Sequence, residues 1–286
     1  MKFFAAVLAA VALLGAGAIP AGAARAPAPQ YPVVTIRAQD FSYTMPARIA
    51  AGWTTVHLVN DGGEPHQAQL AKLNPGVTPD QIVNAGKTGG DQAIVALLTS
   101  MGGPNAVAPL GGTATVTVKL TPGKYVAICF VPSADGTRHY AKGMIQPFTV
   151  TKAKGRPLPP PKAKATVTLN DFSFGFPAAG LPGKGVVAVK NAGTQDHEIA
   201  LYRLAAGKTL DDAKASLLTP PGAPPPTGTP PITAVGGLGG LAPGATGYVN
   251  FALTPGTYVA VCFFPDPTKA GLPHALEGML ATVTVE

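Results

Sequence analysis

Four residue types recur in the same order twice along this chain of 286 residues: His66, Cys129, His139 and Met144, then His197, Cys262, His274 and Met279. The sequence holds five His and two Cys, so the two sets use four of the five histidines and both cysteines. A thiolate, two imidazoles and a weak thioether form a soft donor set that suits copper, held as Cu(I) and as Cu(II) without large rearrangement, whereas zinc rarely recruits methionine. Other fates are open to each residue alone. Cys129 and Cys262 could be buried core thiols, the histidines surface residues and the methionines core filler. A disulfide would need the two Cα atoms within about 7 Å, which equivalent positions in two separate copies do not favour. The recurrence of the whole set, in order, is what points to metal.

Spacing adds to the donor types. Four residues separate His139 from Met144 and again His274 from Met279, so a single loop could supply the second imidazole and the sulfur of each set. Gly143 and Gly278 stand just before each Met, where a missing side chain permits a tight turn. The remaining His57 alternates with Thr55 and Val59 and reads as an ordinary strand-face residue.

The elements that must position these residues come as a repeat. DFSY at Asp40–Tyr43 returns as DFSF at Asp171–Phe174, an offset of 131 that His66 and His197 share, and LTPGKYVAICFVP at Leu120–Pro132 returns as LTPGTYVAVCFFP at Leu253–Pro265 with 10 of 13 residues identical. Each unit has the size of one domain, so the pattern is a duplicated domain and not a solenoid. The expected organisation is a first domain over residues 30–151, a spacer over 152–164 that is rich in Pro and Lys, and a second domain over 165–286. Within each copy, short runs such as VVTIRA, TTVHLV, TATVTVKL and KYVAICF, with ATVTL, GVVAVK, GYVNFAL and TYVAVCF as counterparts, read as strands bounded by Pro-Gly or Gly-Gly turns. One short helix is expected per copy, the first opened by a capping box at Thr78–Gln81 with Pro79 at its first position, the second a weaker counterpart from Thr209. The Gly- and Pro-rich tracts Gly89–Gly112 and Pro220–Gly240 read as long surface loops. The fold class is therefore all-β, two tandem Greek-key sandwiches, each with a short inserted helix.

Composition sets the outer bounds. With Gly 35, Pro 31, hydrophobic residues at 46% and charged ones at 12%, the chain is turn-rich yet apolar enough for a core, which excludes a mostly helical or wholly disordered protein. Lys2, the apolar run Phe3–Gly17 and the small residues Ala21–Ala24 read as an export signal over residues 1–24, placing the mature chain in a periplasm, at a cell surface or outside the cell. The net charge of +7 could steer an acidic redox partner, and no motif for nucleic acid is present.

The strings CFFP…PHALEGM and CFVP…RHYAKGM resemble the ligand loop of the cupredoxins, the blue copper proteins, and NDGGEPH at Asn60–His66 and NAGTQDH at Asn191–His197 resemble the loop that carries their first His ligand. The resemblance spans nearly the whole chain after the signal, once per domain. It implies His66, His139 and Cys129 as strong copper ligands with Met144 axial, and His197, His274, Cys262 and Met279 in the same roles. Nine residues separate Cys129 from His139 and eleven separate Cys262 from His274, longer than in small blue copper proteins and comparable to copper nitrite reductases. Those reductases and the multicopper oxidases carry a His beside the Cys for a further copper; here the neighbours are Ile128 and Phe130, then Val261 and Phe263. The expectation is an exported one-electron carrier, one copper per domain, that is not an enzyme. Copper sequestration or delivery, and a metal-free binding module, are the other readings the residues leave open.

Overall fold

Alternation of apolar and polar side chains makes the strands of this protein. In Val33–Gln39 every second residue is buried, Val34, Ile36 and Ala38 facing inward, the pattern of a strand with one wet face. The computed structural model describes residues 30–219 and 229–286; the expected export signal lies outside the described residues. The protein is all-β, built as two β-sandwich halves.

In the N-terminal half, Ser42–Thr44, Val33–Gln39, Gly52–Asn60 and Gly112–Leu120 form one layer, and Arg48–Ala50, Ile145–Thr151, Gly123–Ile128, Gln69–Leu73 and Leu98–Ser100 the other. In the C-terminal half the layers are Ser173–Gly175, Ala165–Asn170, Lys184–Asn191 and Thr246–Ala252, against Ile232–Leu241, His197–Leu204, Gly256–Val261 and Leu280–Val285. The first strand pairs in parallel with Gly52–Asn60, and Ala165–Asn170 does the same with Lys184–Asn191, so the two halves share one strand plan.

The halves are also joined by hydrogen bonds. Gly112–Leu120 pairs antiparallel with Thr246–Ala252 through Val116 opposite Val249 and Thr117 opposite Tyr248, making one sheet of eight strands. Trp53 packs edge-on against Tyr248 of the other half, ring centres 5.3 Å apart. A single apolar cluster, from Ile36 and Leu58 to Leu169 and Phe251, runs through both halves.

The two Gly-rich tracts read as surface loops are structured instead. Gly89 lies within a helix, Pro79–Val95, that runs 17 residues with a break at Gly90 (φ 64°), longer than expected, and Leu98–Ser100 is a strand. In the second tract, beyond the undescribed residues, Ile232–Leu241 is a strand with Gly236 to Leu241 buried. Its glycines serve close approach: a Cβ on Gly237 would lie 2.0 Å from the Ile199 carbonyl oxygen, and one on Gly236 would lie 2.8 Å from Ala114 Cβ of the other half. Both helices start with capping boxes, Thr78 with Gln81 and Thr209 with Asp212, the second, Leu210–Leu217, capped as completely as the first. Residues 152–164 carry no strand or helix.

Candidate metal centres

Each half brings its set together at one end of its sandwich. Cys129 follows directly on Gly123–Ile128 and Cys262 on Gly256–Val261, so an interior strand of the five-stranded layer in one half, and of the layer that holds Ile232–Leu241 in the other, delivers the thiol. The chain then loops out and back. The His139 amide donates to the Val131 carbonyl, the Tyr140 amide to the Cys129 carbonyl and the Cys129 amide to the Met144 carbonyl, which fixes thiol, imidazole and thioether residues in one frame. The C-terminal loop repeats this: the His274 amide donates to Phe264, that of Ala275 to Cys262 and that of Cys262 to Met279. Long as they are, both Cys-to-His loops close. A short antiparallel pairing, Pro265–Asp266 with Leu272–Pro273, ties down the longer one.

In the N-terminal centre the Nδ1 atoms of His66 and His139 are 2.9 Å apart, and His139 Nδ1 is 3.4 Å from Cys129 Sγ. In the C-terminal centre His197 and His274 Nδ1 are 3.0 Å apart, with Cys262 Sγ at 4.0 and 3.5 Å. The two His and the Cys of each centre are fully buried, as are Met144 and Met279. His57 stands elsewhere, bonded through Nδ1 to Thr115 Oγ1 at 2.9 Å, as a strand-face residue should be. Both cysteines are free thiols.

What orients the rings lies outside the predicted set. His66 Nε2 donates to Asp40 Oδ1 at 2.6 Å, and His139 Nε2 to Glu64 Oε2 at 3.0 Å. His197 Nε2 donates to Asp171 Oδ1 at 2.5 Å, while His274 Nε2 donates to the neutral amide oxygen of Gln195 at 3.0 Å. Phe41 and Phe172 pack edge-on against His139 and His274. A Cβ on Gly62 would lie 2.4 Å from Asp40 Oδ1, and one on Gly193 would lie 2.2 Å from Asp171 Oδ1, so each Asp–His contact needs a glycine beside it. The signal was in the repeat: Asp40 and Asp171 share the offset of 131 that His66 and His197 show.

These outer bonds decide whether the residues fit a metal. With every Nε2 donating outward, the proton of each neutral imidazole is on Nε2 and both Nδ1 atoms present lone pairs to one another. Two buried lone pairs about 3 Å apart beside a sulfur repel; a cation among them turns that repulsion into coordination. The acid–base setting agrees. Burial holds His66 and His139 below the usual imidazole range, against the pull of Asp40 and Glu64, and burial together with His197 lowers His274 to about 4. Burial pushes the Cys129 thiol up to about 11, only partly opposed by the amides of Gln67 and Val131 and the Tyr43 hydroxyl. Burial raises Cys262 further, helped by the Glu198 carboxylate. Desolvation pulls the Asp40 carboxyl upward, but hydrogen bonds from Gly63, His66 and Glu64 outweigh it and leave it below its ordinary value. Neutral imidazoles are ready to bind a cation, and each thiol would lose its proton to it.

The centres are not identical. Tyr43, buried near Cys129, donates its hydroxyl to the Gln67 carbonyl, whereas the corresponding residue of the second copy is Phe174. Glu64 backs one ring where Gln195 backs its counterpart. Each half thus carries a His–Cys–His–Met set at the end of a β-sandwich, the arrangement that the resemblance to cupredoxins implies.

No family model matches the chain, and no curated protein does. Among solved structures it is similar to a reduced auracyanin from Roseiflexus castenholzii, at 22% identity over 42% of this chain and 96% of that one (TM-score 0.29). It is similar to a copper nitrite reductase from Nitrosomonas europaea, at 14% identity over 90% of this chain and 94% of that one (TM-score 0.26). A multicopper oxidase matches at 14% identity over 89% of this chain and 88% of that one (TM-score 0.23). The expectation that the chain is not an enzyme is corrected by these findings: two of the three likenesses are to enzymes, and the missing His beside each Cys does not by itself exclude catalysis. Among the described residues no helix is long and apolar enough to cross a membrane.

Proposed function

We propose that the protein binds one copper in each half, through His66, Cys129 and His139 with Met144 and through His197, Cys262 and His274 with Met279, and that it passes single electrons. The observation that carries this is the convergence, twice, of two bare imidazole nitrogens and a thiol in a fully buried pocket. Two His and one Cys with a nearby Met are the donors of blue copper sites, and the copper they hold would supply a reversible one-electron couple. The chain's own residues do the rest. Asp40, Glu64, Asp171 and Gln195 fix the tautomer and tilt of each ring, so the donor set keeps its shape whichever oxidation state is bound. Phe41 and Phe172 cover the second imidazole of each centre and help keep water out. Export ahead of function, through residues 1–24, and an acidic protein partner drawn by the +7 charge complete the reading.

The test is a Cu(II) titration of the mature protein without reductant, followed by visible absorption, EPR and metal analysis. Two coppers per chain with an intense thiolate-to-copper band is the expected result, and Cys129→Ala and Cys262→Ala should each remove half the band. A colourless protein without stoichiometric copper would sink the proposal.

A further inference from the structure

A cleft of about 660 Å³ opens where the two halves meet, within the roughly 300–1,000 Å³ usual for a small-molecule site. The residues after each cysteine wall it: Phe130 and Val131 from one half, Phe263 and Phe264 from the other. Leu217 at the end of the second helix and Ala234 on the buried Gly-rich strand continue its apolar lining.

A few polar groups converge there, and their existing bonds show which of them have capacity left. The Asp91–Arg138 pair is matched within itself: Arg138 Nη2 lies 2.7 Å from Asp91 Oδ2, its Nη1 donates to the Phe130 carbonyl at 2.9 Å, and the Tyr140 hydroxyl donates to Asp91 at 2.9 Å. It calls for no charged ligand. Glu198 differs. It is 5% exposed, its Oε2 accepts from Asn105 Nδ2 at 2.9 Å and its Oε1 from the Phe263 amide at 3.1 Å. Each oxygen thus has one donor and room for a second. The Tyr202 hydroxyl, on the same wall, makes no hydrogen bond to a described residue.

We propose that this cleft is a binding site for a neutral aromatic alcohol of the phenol class, its ring against Phe130, Phe263 and Tyr202 and its hydroxyl donating to Glu198. The aromatic walls favour a flat apolar body. The carboxylate repels anionic ligands, and an ammonium would lose its hydration to a mostly apolar lining. The site uses atoms of both halves: Glu198 and Phe263 from one, Asn105 and Phe130 from the other.

The experiment titrates 1-naphthol into metal-free protein at pH 8 by calorimetry, with 1-methoxynaphthalene, which lacks the donor, and 1-naphthylmethylammonium, a cation at that pH, alongside. Metal-free protein makes the result independent of the copper reading. The expected outcome is 1:1 binding of naphthol, at least about tenfold weaker binding of the ether, as the loss of one hydrogen bond to a charged acceptor implies, weaker binding of the ammonium, which gives up its hydration to a mostly apolar lining, and loss of binding in Ala234→Trp, which fills the cleft. Ser216→Trp serves the same purpose should Ala234→Trp fail to fold by circular dichroism. Equal affinity for naphthol and its ether, a preference for the ammonium, undiminished binding in a folded filling variant, or no binding would each overturn the proposal.

Discussion

Replacing Asp40 with alanine removes the carboxylate that holds the His66 ring from outside. Asp40 accepts hydrogen bonds from His66 Nε2 at 2.6 Å and from the amides of Gly63 at 2.8 Å and Glu64 at 3.3 Å. The two amides lie at an exposed loop, where water replaces the carboxylate at small cost. His66 is fully buried, so its Nε2–H loses its partner and the ring is free to turn or to move its proton to Nδ1, the atom proposed to bind copper. Loss of such an outer partner lowers metal affinity about 10- to 100-fold, about 1.4–2.7 kcal/mol, and full burial argues for the upper part of that range. The C-terminal centre has its own carboxylate, Asp171, and should not respond. The assay is copper competition against a chelator of known affinity in a Cys262→Ala background, where only the N-terminal centre reports. Asp40→Asn, whose amide oxygen can still accept, should fall between. Asp40→Ala that binds within twofold of its parent would show that the carboxylate does not orient the ligand.

Gly193→Ala places a Cβ 2.6 Å from His197 Nε2 as well as against Asp171, so it should weaken copper in the C-terminal centre and lower stability by about 1–3 kcal/mol, read by chelator competition and thermal melting. Tyr43→Phe makes the N-terminal centre resemble its counterpart, and its charge-transfer band and reduction potential should move toward those of the C-terminal centre. In metal-free protein two buried groups oppose each other with pH. His274, lowered to about 4, gives stability that is lost as pH falls from about 6.5 toward 4, because the unfolded chain binds its proton first; Glu198, raised by burial to about 7, gives stability that is lost as pH rises from about 4.5 to 7. Their slopes oppose each other between pH 4.5 and 6.5, so Glu198→Gln should make stability rise more steeply with pH there than it does in the wild type, read as melting temperature against pH for both proteins. Gly103→Ala, whose Cβ would lie 2.2 Å from the Ala68 carbonyl oxygen, should destabilise both halves in one thermal transition because one sheet and one core run through them.

The strands with strong alternation and β-branched residues were legible in the sequence, from VVTIRA to TYVAVCF, and the two His–Cys–His groups that the fold brings together were legible because the duplication printed them twice. What escaped detection depended on partners. Gln69–Leu73, QLAKL, has no β-branched residue; it becomes a strand because Gly123–Ile128 and Leu98–Ser100 flank it and take its hydrogen bonds. Ile232–Leu241 looks like a loop because its glycines suit turns, yet the same missing side chains let it lie against Ile199 and Ala114. Asp40 and Asp171 sit far in sequence from the histidines they orient, and only the fold shows that a carboxylate at the start of each copy reaches the ring.

The strand pair that joins the halves has a symmetry of its own. The repeat aligns Val116 with Val249, and these two residues face each other across the antiparallel junction. A residue paired with its own counterpart marks a local twofold axis, the signature of an isologous contact between identical subunits. The two halves thus meet within one chain as two like subunits of a symmetric dimer would. Within one chain the two sides of such an axis need not match, and here Tyr43 stands opposite Phe174 and Glu64 opposite Gln195, a difference that two identical subunits could not show.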